Sequence, residues 1–391
     1  MDRFPHCPYR LLSSENRFIG RVTLTSIPIR QARRPLMAAT LAAPPFLPAS
    51  LPARAATART WRRRRTTRPF LRATCAYALQ EGQSRRFHRL PCGLDLEVIA
   101  QRPPAPAPGE RPPLVFVHGS FHAAWCWAEH WLPFFTRAGF PCYALSLRAQ
   151  VFVESPQCVV ACAALWHPGE SSVPPEAVAG TLETHTGDIA DFIKKEVPSP
   201  PVLIGHSFGG LIVQQYISCS QGSELLHPKL AGAVLVCSVP PSGNSGLVWR
   251  YLLTKPVAAV KVTLSLAAKA YANSLSLCKE TFFSLQMDDE LVSRYQALMK
   301  ESSKLPPFDL RKLNASLPVS SVPDKTTEIL VMGASNDFIV DSEGLSETAR
   351  FYGVQPICVE GLAHDIMLDC SWEKGAETIL TWLEKLKPQS N

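Results

Sequence analysis

No uninterrupted apolar run in this chain reaches the ~18–20 residues that a helix needs to cross a bilayer, so no transmembrane segment is expected. Lysine is missing from residues 1–75, and acids there are limited to Asp2 and Glu15, against 15 arginines. That stretch carries +13; the whole chain carries +7, so residues 76–391 carry −6. The positive charge belongs to the leader, which excludes a basic, nucleic-acid-binding body. The twelve cysteines show no repeated spacing, so no disulfide framework is indicated. Cys142, Cys219, Cys237 and Cys358 fall inside apolar runs and read as buried free thiols of a reducing compartment. Cys158-x-x-x-Cys162 with His167 lacks a second ligand pair, so neither a metal nor a cofactor is expected.

What is present begins with residues 1–75, rich in Arg, Ala, Pro, Ser and Thr and including Trp61-Arg62-Arg63-Arg64-Arg65. Such a composition cannot bury a core and predicts a disordered organellar transit peptide. Met37-Ala38-Ala39-Thr40 looks like a plastid transit start, and Leu71-Arg72-Ala73-Thr74-Cys75-Ala76 like a stromal cleavage region. A chloroplast is the expected address, with the mitochondrion as the alternative.

From residue 85 onward, short apolar runs alternate with helical patterns. Strands are expected within 85–101 and at Leu114–Val117, Cys142–Leu147, Val202–Ile204, Ala231–Cys237, Glu328–Met332 and Pro356–Val359. The helices between them include Thr181–Glu196, Ser342–Phe351 and Trp372–Leu386. This alternation implies an α/β fold: a mostly parallel sheet of about eight strands covered by helices on both faces. Residues 241–323 carry helix pattern without strand pattern and predict a helical cap. Val151–Pro168 sits where a short loop is expected, and deleting it would join Gln150 to Gly169 in a natural polar loop. It reads as an insertion that the fold does not need.

The chemistry starts at Gly205-His206-Ser207-Phe208-Gly209, between an apolar strand and an amphipathic helix. Gly-x-Ser-x-Gly in that context predicts a nucleophile elbow, with Ser207 Oγ held at the carboxyl edge of the sheet. A serine hydroxyl needs a base, and the base needs an orienting acid. Asp337 follows the Glu328–Met332 strand and His364 follows the Pro356–Val359 strand, so both reach the same edge as Ser207. Asp341 and Asp365 are rival acids; the first sits at a helix N-cap and the second adjoins the base. His206 is expected to pack beside the serine, and His185 to face solvent. Two amides are needed for an oxyanion: Phe208, directly after the nucleophile, and Ser120 in His118-Gly119-Ser120-Phe121-His122, with Phe121 as its rival. Trp125 and Trp127 are expected as pocket wall or packing.

These residues carry a resemblance. Residues 85–391 look like an α/β-hydrolase domain, of plant chloroplast type. His118 through Trp127 resembles the corresponding loop of plant methylesterases and hydroxynitrile lyases, and of bacterial lysophospholipase-like hydrolases. The resemblance implies Ser207, Asp337 and His364 as a triad, with Ser120 and Phe208 as oxyanion amides. It implies hydrolysis of a small-molecule or lipid carboxylic ester through an acyl-enzyme. Its alternatives are a lyase, which would need a cationic pocket residue such as Lys255 or Lys261, and a non-catalytic small-ligand receptor. Epoxide and dehalogenase chemistry is disfavoured, because the elbow holds serine where those enzymes hold aspartate.

Overall fold

Strand alternation sorts the core of this molecule into two. The computed structural model describes residues 77–104, 111–148, 178–220, 226–302, 305, 308–320 and 327–386. The leader and the Val151–Pro168 stretch lie outside the described residues, as do Cys158, Cys162 and His167. Eight strands form one sheet: β1 (Gln83–Arg89), β2 (Asp95–Gln101), β3 (Leu114–Val117), β4 (Cys142–Leu145), β5 (Val202–His206), β6 (Gly232–Val236), β7 (Ile329–Ala334) and β8 (Ile357–Val359). Their order is β1-β2-β4-β3-β5-β6-β7-β8. The β1–β2 and β2–β4 pairs are antiparallel, and all the others are parallel.

Strand side chains point alternately to opposite faces. Leu114, Phe116, Val202, Ile204, Val234 and Val236 therefore share one core, with Trp127 and Phe135. Val115, Val117, Leu203, Ala233 and Leu235 share the other, with Ile189 and Leu211. The first face is covered by α1 (Trp125–Ala128), α2 (Trp131–Arg137) and the last helix, α11 (Trp372–Leu383). The second is covered by α3 (Leu182–Glu196), α4 (Phe208–Ser220) and α10 (Ser342–Tyr352). Burial on both sides is why these strands are runs of Val, Leu and Ile rather than alternating polar patterns.

Between β6 and β7 lie only helices among the described residues: α5 (Ser245–Thr254), α6 (Pro256–Leu266), a 3-10 turn (Ala270–Asn273), α7 (Leu275–Phe282), α8 (Asp289–Ser302) and α9 (Leu310–Ala315). This is the expected cap. The apolar stretch is divided into α5 and α6, because Pro256 removes a backbone donor and its ring clashes with the preceding turn. Lys255 accordingly leaves helical geometry at φ −141° and ψ 64°, and α6 starts afresh with the proline at its first turn.

Three expectations are corrected. His185 does not face solvent: it is fully buried, on the α3 stripe that also carries Leu182, Ile189 and Phe192, and edge-on to Phe308. Cys358 is exposed because β8 is a three-residue strand at the sheet's edge, and Cys219 near the end of α4 is only half-buried. Cys142 and Cys237 are buried as expected.

Candidate functional site

Ser207 directly follows β5 with φ +55°, a left-handed conformation that costs an L residue ~1–2 kcal/mol. The strain persists because the residue is tied on both sides. Its N–H donates to the Val236 carbonyl at 3.0 Å, and its carbonyl accepts from Val239 N–H at 3.1 Å. The flanking glycines are demanded by backbone approach. A Cβ on Gly205 would lie 2.6 Å from the Gly209 carbonyl oxygen, and one on Gly209 would lie 2.4 Å from that of Val117. Phe208 opens α4 immediately afterwards, so its N–H is one of the unsatisfied amides at a helix start, where partial positive charge collects.

Asp337 and His364 meet. His364 Nδ1 lies 3.0 and 2.9 Å from the two Asp337 carboxylate oxygens, and both side chains are buried. Asp337 Oδ1 also accepts from the Ile339 and Val340 N–H groups at 2.7 and 2.9 Å, which fixes the carboxylate. Burial alone would lower the His364 pKa; the Asp337 charge and hydrogen bond, helped by Asp365, outweigh it and raise it above the ordinary histidine value. The rival acids are engaged elsewhere. Asp341 caps α10 through Gly344 N–H and grips the Arg250 guanidinium with both oxygens. Asp365 faces His122 Nε2 at 3.0 Å.

The loop after β3 lies against the elbow: a Cβ on Gly119 would sit 2.8 Å from Ser207 Cβ. Two histidines orient its peptides. His118 Nε2 accepts from Leu147 N–H at 2.9 Å, so its proton is on Nδ1, which donates to the Gly119 carbonyl at 2.7 Å. Burial holds His118 neutral, with its pKa down to about 3. His122 Nδ1 donates to the Ser120 carbonyl at 2.8 Å. In a planar trans peptide the N–H points opposite to the C=O. Holding the Gly119 and Ser120 carbonyls therefore aims the N–H groups of Ser120 and Phe121, and Phe121 takes φ +69° to make the turn.

His206 donates from Nε2 to the His364 carbonyl at 3.0 Å, and burial with the neighbouring His364 charge lowers its pKa to about 3. It packs beside the serine as expected. Trp127 lies edge-on to His206, and Trp125 donates to Ser302 Oγ of α8 at 2.8 Å; both are packing groups. Lys261 pairs with Glu280, and Lys255 lies over the Tyr251 ring. Two triads of ligand-type atoms occur within 4.8 Å of one another, His206/His364/Asp365 and Cys237/Asp337/His364. One nitrogen of each histidine is already engaged, His206 Nε2 with the His364 carbonyl and His364 Nδ1 with the Asp337 carboxylate.

Asp369 was not singled out by sequence, nor were His118 and His122 given roles. Asp369 is buried and accepts from Ser284 N–H (2.9 Å), Ser284 Oγ (2.6 Å), Ala363 N–H (3.0 Å) and Cys370 N–H (2.7 Å). It clips the cap to the loop bearing His364. The only sequence signal was its spacing, four residues after Asp365 on the same loop.

An elbow serine, a His–Asp pair on the following strand ends and an amide-lined loop on a mostly parallel sheet define an α/β-hydrolase architecture. The chain belongs to the alpha/beta hydrolase family, whose model matches residues 114–377, well over half of its length. It is similar to protein phosphatase methylesterase 1 of Pongo abelii, with 29% identity over 127 residues, or 32% of this chain and 28% of that protein. Among solved structures it is similar to the esterase RhEst1 from Rhodococcus sp. (TM-score 0.50, 18% identity, 78% of this chain and 100% of that one). A bromoperoxidase from Bacillus anthracis is similar in fold (TM-score 0.52, 17% identity, 77% and 100%). Those likenesses concern the fold, which hosts unrelated chemistries. Among the described residues no helix is long and apolar enough to cross a membrane.

Proposed function

We propose that this chain is a serine hydrolase of carboxylic esters. The observation that carries the reading is the bidentate Asp337–His364 contact at the sheet edge where Ser207 stands in its strained elbow. In the reaction, His364 Nε2 takes the Ser207 hydroxyl proton as Oγ attacks the ester carbonyl. Asp337 holds Nδ1–H, fixing the tautomer and stabilising the imidazolium. The oxyanion accepts from the N–H groups of Phe208 and Ser120. Collapse expels the alcohol, which takes its proton from His364 and leaves an acyl-serine. Water, deprotonated by the same imidazole, then releases the acid. Small-molecule or lipid esters are the substrate class, and a plastid is the proposed location. The engagement of Lys261 with Glu280 and of Lys255 with Tyr251 favours this over a lyase needing a cationic pocket group.

The test is labelling by a fluorophosphonate probe with turnover of an ester chain-length panel. Wild-type protein should label and turn over; Ser207→Ala should lose labelling and at least ~10³-fold of turnover, because a triad acts as a unit. Labelling that persisted in Ser207→Ala would overturn the assignment.

A further inference from the structure

Asp365 sits next to the base in sequence, yet the carboxylate that contacts the His364 ring is Asp337's, and Asp365 is engaged with a second histidine. Oδ2 lies 3.0 Å from His122 Nε2, and the two side chains are 0% and 1% exposed. The other nitrogen of His122 faces the Ser120 carbonyl, which can only accept, so Nδ1 carries a proton. Burial would raise the Asp365 pKa; the interaction and hydrogen bond with His122, helped by the neighbouring His206 and His364 rings, outweigh it and bring it below the ordinary carboxyl value. The Nε2–Oδ2 contact holds one proton between the two side chains, so His122 is tied at both ring nitrogens, to the Ser120 carbonyl and to the Asp365 carboxyl group.

Asp365 touches two other parts of the site. Its Oδ1 lies 3.7 Å from His206 Nε2, whose proton goes to the His364 carbonyl. Its N–H donates to the Phe282 carbonyl at the end of α7 in the cap, at 2.9 Å. A single buried carboxylate thus adjoins the amide loop, the backbone of the base and the cap.

We propose that His122 and Asp365 form a second His–Asp pair that does no proton transfer but fixes the Ser120–Phe121 peptide, and through the Ser120 backbone the loop that carries the Ser120 oxyanion amide, relative to Ser207. This rests on the ester-hydrolase reading for its kinetic consequence, though not for the contact itself. Neither residue touches the reacting atoms; both act through the Ser120 carbonyl. Loss of either leaves Ser207, His364 and Asp337 in place while the amide loop loses one of its two histidine anchors. The defect belongs to the tetrahedral state, where the oxyanion exists, rather than to ester binding.

The kinetic test uses p-nitrophenyl acetate and a trifluoromethyl ketone, which adds to an active serine as a tetrahedral oxyanion. Asp365→Asn, nearly isosteric, and His122→Ala should each lower kcat about 10–100-fold with KM within about twofold, a smaller loss than deleting an oxyanion donor outright. Ketone affinity should fall in parallel with kcat/KM. The double variant should be no worse than the worse single one, because both remove one contact. A rise in KM with kcat intact, unchanged ketone affinity or multiplicative losses would overturn the proposal. If His122→Ala does not fold, the Asp365→Asn result decides. Imidazole 15N NMR stands apart from turnover. One histidine, assigned by its loss in His122→Ala or by selective labelling, should show hydrogen-bonded shifts at both ring nitrogens, and its Nε2 signal should move in Asp365→Asn. A His122 Nε2 signal unchanged in Asp365→Asn would overturn the pair even if esters are hydrolysed. Absent ester turnover with that change present would fault the function reading instead.

Discussion

Gly119 packs against Ser207 so closely that one added methyl group would stand 2.8 Å from the serine Cβ. The same methyl would lie 3.1 Å from the His206 carbonyl oxygen, part of the rigid elbow backbone. Gly119→Ala must therefore push the amide loop and the nucleophile apart. Ester turnover should fall about 10²-fold, the cost of misplacing reacting groups by roughly an ångström, with a lower melting temperature. Unchanged turnover would show that the loop and elbow need not touch.

Replacing Asp337 by Asn removes the charge that holds the His364 tautomer. Turnover should fall ~10⁴-fold with the fold retained, while Asp341→Asn should leave most of it. The pH profile gives a second reading. His364 must be neutral to accept the serine proton, and its pKa is raised, so kcat/KM falls as pH drops through a value above the ordinary ~6.5. In Asp337→Asn burial remains while the opposing charge is gone, so the acidic limb should move to lower pH. A limb that stayed in place would assign it to another group.

Asp369→Ala leaves the N–H groups of Ser284 and Ala363 buried without their acceptor. Each bond to a charged group is worth about 1.5–3 kcal/mol, so unfolding free energy should drop by at least ~3 kcal/mol in a urea titration. A loss under ~1 kcal/mol would mean that the cap is not clipped through this carboxylate.

Residues 37–75, fused to a fluorescent protein in plant cells, should carry it into plastids. Mitochondrial or cytosolic fluorescence would reverse the proposed location.

A chain lacking residues 151–168 should melt no lower than the full chain and hydrolyse esters at least as well. Lengthening a loop by that much adds only a modest closure cost, so the stretch is not needed to hold its ends together. A lower melt or lost turnover would make it part of the fold or the site.

The strands, the elbow, Asp337 and His364 were legible because each leaves a local mark: an apolar run, a tight glycine-flanked turn, a polar residue just past a strand end. The Pro256 break between α5 and α6 was equally local and readable. His185 also lay on a legible stripe, three residues after Leu182 and four before Ile189, but its polarity suggests solvent; Phe308, far along the chain, closes over it. The roles of His122, Asp365 and Asp369 had no such mark. Their partners are chosen by tertiary placement, and spacing along the chain carries no trace of it. Cys358 lies in an apolar run, and only the sheet order reveals that its strand is an edge.

The bond between His122 and Asp365 joins residues 243 positions apart, and that between His206 and His364 joins residues 158 apart. Contacts of such separation pay their loop-closure entropy before they return any stability, and chains dominated by them fold slowly. Turnover can then serve as a clock hand for refolding. Helical far-ultraviolet signal, which needs only local contacts, should return first, with ester hydrolysis lagging until the two ends of the domain have closed on each other.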